Sequence, residues 1–136
     1  MGWIVARALG PFDVSLKPLP MDHESEGGLL GRMSLDKQFH GDLEAISKGQ
    51  MLTGGTAIRN SAGYVAIERV TGTLKGRKGS FILQHTGVMN RGTPSLVITV
   101  VPDSGTEQLE GLRGTMTIKI EAGKHSYELN YTLGTP

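Results

Sequence analysis

The sequence predicts an all-β protein: a single antiparallel barrel of about eight strands, forming one domain over residues 1–136. Three observations predict it. Apolar and polar side chains alternate with a period of two along most stretches, as in a half-buried strand. The 20 glycines and 6 prolines are spread along the chain, as many short connections require. No stretch carries a convincing helical stripe. A sheet this large closes or splits, because open twisted edges invite aggregation. Eight strands enclose room for packed side chains or for one small ligand.

Ile4 to Pro18 reads as the first strand, with Phe12, Val14 and Leu16 alternating against Asp13, Ser15 and Lys17. Pro18 and Pro20 end it, since proline cannot donate to a ladder. The polar run Met21 to Gly28 reads as a loop. Leu29 to His40 is the second strand, with Met33, Leu35, Lys37 and Phe39 on one face. Leu43 to Leu52 fits a strand or a short helix capped by Asp42; Gly49 and a weak apolar stripe favour the strand. Thr53 to Gly63 reads as loop or irregular strand.

Tyr64 to Met89 reads as two long strands joined by a basic, glycine-flanked turn. With Gly76 and Arg77 as turn residues, Lys75 pairs with Lys78, Gly72 with Phe81, Val70 with Leu83, Glu68 with His85 and Tyr64 with Met89. A slip of two residues changes these partners but keeps the faces; a slip of one reverses the faces. Ser95 to Pro102 is almost continuously apolar, the pattern of a strand covered on both sides. Asp103 to Gly111 is a polar loop. Leu112 to Glu121 alternates cleanly, with Met116, Ile118 and Ile120 on one face. After a turn at Ala122-Gly123-Lys124, His125, Tyr127, Leu129, Tyr131 and Leu133 form the inward set of the last strand.

Composition narrows the function classes. A formal net charge of +1 gives no general attraction to nucleic acid or anionic membrane. With no cysteine there is no disulfide, thiolate nucleophile or Cys-ligated zinc. The amino terminus lacks a signal-peptide pattern, Ala6 stands where myristoylation needs Ser or Thr, and no run is long enough to span a membrane as a helix. A cytoplasmic protein is expected, and the glycosylation-like Asn130-Tyr131-Thr132 is read as accidental.

The runs GRMSLDKQFHGDLEA (Gly31 to Ala45), SAGYVAIERVTGTL (Ser61 to Leu74), GSFILQHTGVMNRG (Gly79 to Gly92), VVPDSGT (Val100 to Thr106) and GKHSYELNYTL (Gly123 to Leu133) resemble a small bacterial family of domains of unknown function. Members of that family resemble the allene oxide cyclase barrel, and Gly105 to Gly114 is similar to a glycine-punctuated hairpin of such barrels. The resemblance implies an eight-stranded barrel. It implies no activity, and no catalytic residue is carried over from the cyclase.

Glu68 and His85 are the sharpest candidates for chemistry. They share a face with Tyr64, Ala66, Val70, Phe81 and Leu83. Turned inward, a carboxylate and an imidazole in apolar surroundings can serve as acid and base. They can equally form a structural hydrogen-bonded cluster, or an outward bridge worth roughly 0–1 kcal/mol. Lys37, Tyr64, Tyr127 and Tyr131 lie on apolar faces and join them as candidate ligand-binding residues. The histidines show no zinc-like spacing, and Asp22-His23-Glu24 reads as solvated loop. No metal or cofactor is expected. Lys75, Arg77 and Lys78 make a basic turn, while Ser104 and Thr53-Gly54-Gly55-Thr56 lack nucleophile-elbow and phosphate-loop patterns.

Three functional readings follow. One is a binding module for a small apolar or amphipathic molecule or a protein partner. Another is an isomerase or cyclase using an acid–base pair inside the barrel. The third is a structural protein with a filled barrel. A homo-oligomer is expected, because part of the outside reads as covered.

Overall fold

A computed structural model of the chain describes residues 2–21 and 28–134. The strands are β1 (Ile4–Leu19), β2 (Leu30–Phe39), β3 (Leu43–Gly55), β4 (Ala62–Leu74), β5 (Arg77–Asn90), β6 (Thr93–Val100), β7 (Arg113–Glu121) and β8 (Lys124–Leu133). They close in chain order into one antiparallel barrel, with β8 returning to β1 from Ile4↔Leu133 to Phe12↔His125. One short 3-10 turn, Glu107–Leu109, interrupts the β6–β7 connection.

Short connections set this topology. The β4–β5, β5–β6 and β7–β8 hairpins turn on Lys75-Gly76, Arg91-Gly92 and Ala122-Gly123, all with positive φ. Two left-handed residues in succession match the natural twist of paired strands, and glycine in the second position lowers the cost. The observed turn is therefore Lys75-Gly76, not Gly76-Arg77. The whole β4–β5 register moves by two residues: Leu74 faces Arg77, Gly72 faces Gly79, Val70 faces Phe81, Glu68 faces Leu83 and Tyr64 faces Gly87. His85 stands across from Ala66 rather than Glu68. The faces survive, because side-chain direction has period two.

The barrel has two unlike ends. At one end the long β6–β7 connection folds over the opening and buries Leu109 and Leu112 beside Leu43, Leu74, Phe81 and Leu133. Where β6 ends, this connection takes over the free edge of β5. Val101 N–H donates to the Ile82 carbonyl, Thr106 N–H to the Ser80 carbonyl, and the Ile82 N–H to Ser104 Oγ. Ser104 is thus a ladder substitute. At the other end, among the described residues, inward side chains stay open to solvent: Leu96 is 42% and Ile120 63% exposed. The β6–β7 ladder is confined to Ile98↔Met116 and Thr99↔Thr115, so the wall is least closed beside these residues.

Within the single chain, Ser95 to Pro102 is covered on its inner side: Ile98 and Val100 are buried, and Val97 is 56% exposed. Its apolar run reflects an inward face beside an open outer one. Leu43 to Leu52 is a strand, extended to Gly55, and its odd-numbered residues point inward. The segment around Asp22-His23-Glu24 lies outside the described residues. Among the described residues no helix is long and apolar enough to cross a membrane.

Candidate functional site

Between the plugged end and the open mouth, the inward faces of β2 to β5 bring four polar side chains together. Lys37, Ser47, Glu68 and His85 come one from each strand, and all are buried. Glu68 is the hub. Its Oε2 accepts from Lys37 Nζ at 2.8 Å and from His85 Nε2 at 2.5 Å, and its Oε1 accepts from the Ser47 hydroxyl at 2.6 Å. Glu68 reaches His85 diagonally along the strand pair, a distance long side chains span easily. Gly49 faces Glu68 in the ladder, and a Cβ there would stand 2.0 Å from the Ile67 carbonyl oxygen. Only glycine lets these backbones approach so closely.

Lys37 Nζ also lies 5.2 Å from the Phe12 ring centroid and 5.6 Å from that of Phe39, so two aromatic rings flank the ammonium beside its Glu68 partner. Among the described residues, no buried side-chain nitrogen or oxygen is left without a hydrogen-bond partner. Burial is the largest influence on Glu68 and opposes ionisation. The hydrogen bond from His85, the charge and hydrogen bond of Lys37, and the Ser47 hydroxyl together outweigh it, bringing the carboxyl down to about 2. Glu68 is therefore an anion at neutral pH. Lys37 balances its charge.

The cluster continues towards the mouth. Tyr64 Oη lies 3.4 Å from His85 Nδ1. Burial, then the nearby Glu68 charge, raise the phenol above its ordinary value, so it keeps its proton. Its ring lies against Gly87, where a Cβ would meet Tyr64 Cε1 at 2.3 Å. Tyr64 also lines a cleft of about 680 Å³ in the open end. Most of the remaining wall is apolar, including Met51, Met89, Pro94, Leu96 and Ile120, with Thr53 among it. The volume suits a small organic ligand.

Of the sequence candidates, Lys37, Tyr64, Glu68 and His85 come together. Tyr127 and Tyr131 do not join them. The Tyr127 hydroxyl donates to the His40 carbonyl and accepts from the Leu43 N–H, which ties the β2–β3 turn to β8. Tyr131 is buried in the core with Leu129 and Leu133. Ser47 was not anticipated, although it continues the inward series of Leu43 and Ala45. A lone hydroxyl in that series is its signal, legible only once the segment is known to be a strand. Gly87 and the aromatic faces around Lys37 carry no comparable signal. Among the described residues no three His, Cys, Asp or Glu side chains converge as a metal site would need.

A family model described as "Protein of unknown function (DUF3224)" matches residues 8–131. The chain belongs to this family. A crystal structure of a family member of unknown function from Shewanella oneidensis MR-1 is 50% identical, covers 98% of this chain and 100% of its own, and superposes with a TM-score of 0.93. No curated protein matches. The family supplies no activity, so a functional reading rests on the site itself.

Proposed function

We propose that the protein binds a small apolar or amphipathic molecule in the open end of the barrel. The observation that carries this reading is the cleft of about 680 Å³ in which Tyr64, otherwise among mainly apolar walls, is bonded through His85 to the buried Glu68. An apolar pocket with a few fixed polar groups is the usual form of a small-molecule site. Lys37, Glu68, Ser47 and His85 hold Tyr64 in place; Tyr64 meets the ligand.

An enzymatic isomerase or cyclase reading is weaker on this geometry. Glu68 is wholly buried and ionised, with three partners on its two oxygens. It orients His85 and is a poor acid near neutrality. The allene oxide cyclase likeness is an analogy of fold and carries no reaction. A homo-oligomer is proposed separately, on the exposed outward side chains Leu52, Val65, Ile67 and Val97.

The test is titration with the neutral apolar dye N-phenyl-1-naphthylamine. Saturable one-to-one binding is expected, and the paired substitution Ala62→Trp/Leu96→Trp should abolish it while unfolding stays cooperative. No saturable binding, or binding indifferent to the filled cleft, would overturn the reading.

A further inference from the structure

We propose that the cleft selects apolar molecules carrying a hydrogen-bond donor, such as an alcohol or phenol hydroxyl, which Tyr64 Oη accepts. This rests on the ligand-binding reading above and adds the polarity of the ligand.

The directions of the hydrogens in the cluster fix this polarity. A carboxylate only accepts. Glu68 Oε2 already takes a proton donor from Lys37, so the His85 Nε2 facing it at 2.5 Å must also donate. Lys37 balances the buried Glu68 anion, and an imidazolium would add an uncompensated charge to a site with almost no solvent contact. His85 is thereby held as the Nε2–H tautomer, with the Nδ1 lone pair towards Tyr64. The Tyr64 hydroxyl donates to that lone pair. Its hydrogen is committed, and what its oxygen offers the cleft is an acceptor. Thr53 also lines the cleft, but its hydroxyl rotates and takes either role. Tyr64 is the lining group whose polarity is imposed from behind.

The test compares 2-naphthol, a donor, with 2-acetylnaphthalene, an acceptor of similar body, by calorimetric titration of wild type and Tyr64→Phe. One neutral hydrogen bond corresponds to about 2- to 12-fold in affinity. Tyr64→Phe should weaken 2-naphthol by about that factor and leave 2-acetylnaphthalene within about 2-fold. Equal effects on the two, or a larger loss for the ketone, would overturn the polarity assignment while leaving the cleft as a binding site. Failure of both probes to bind wild type would remove the binding reading and this inference with it. A second readout needs no variant. The ¹⁵N shifts of His85 should show a protonated Nε2 and a bare Nδ1; two protonated nitrogens would contradict the proposal.

Discussion

Glu68 gives the prediction with the most structure behind it. Its carboxyl stands at about 2 against an ordinary 4.5, a drop of about 2.5 pH units. At about 1.4 kcal/mol per unit, this couples about 3 kcal/mol of stability to ionisation of one group. The folded value is the depressed one, so this stability is fully present above about pH 4.5 and is lost as pH falls towards 2. Replacing Lys37 by Met leaves the anion without its countercharge and should cost about 3–5 kcal/mol at neutral pH. Glu68→Gln strands the ammonium and should cost a similar amount. The double variant removes both charges and should recover most of the loss, since buried pairs are often replaceable as a unit. Urea unfolding of the four proteins at intervals from pH 7 to pH 2 reads all of this. The wild type should lose about 3 kcal/mol more than the double variant on acidification below pH 4.5. Parallel pH profiles, or additive single effects below about 1 kcal/mol, would mean the pair behaves as a surface bridge, and the reasoning fails.

Other outcomes follow from the same geometry. Gly87→Ala should displace the Tyr64 ring, cost about 1–3 kcal/mol in urea unfolding and weaken dye binding, although the substitution itself adds a single methyl group. Ser47→Ala removes a donor to Glu68 Oε1 and should cost about 1–3 kcal/mol, with acid unfolding beginning at higher pH; an unchanged acid midpoint would show the hydroxyl is dispensable.

The fold was largely legible because strand patterning depends on parity, and parity survives small errors. Moving the turn from Gly76-Arg77 to Lys75-Gly76 changed each partner in the hairpin, yet Glu68 and His85 remained on the inward face. Lys37, on the apolar face of β2, was found the same way. The continuous hydrophobicity of Ser95 to Pro102 does not reveal which side the chain itself covers; Val97 faces outward and is exposed within the single chain. The unlike ends of the barrel were not legible. They depend on Leu109 and Leu112 folding over one opening, a long-range event written in a polar-looking loop. The network was half legible: the charged members interrupt apolar faces visibly, whereas Ser47 is small and the role of Gly87 is an absence of atoms.

The central claim is that the open cleft beside Tyr64 receives the ligand. The most direct measurement is a ¹H–¹⁵N chemical-shift titration of the wild-type protein with 2-naphthol. The largest shifts are expected at Tyr64, Gly87, Met89 and Leu96, with a smaller response at His85 behind them. Shifts centred on the outer side chains of Leu52, Val65 and Ile67, or around Leu109 at the plugged end, would contradict the account.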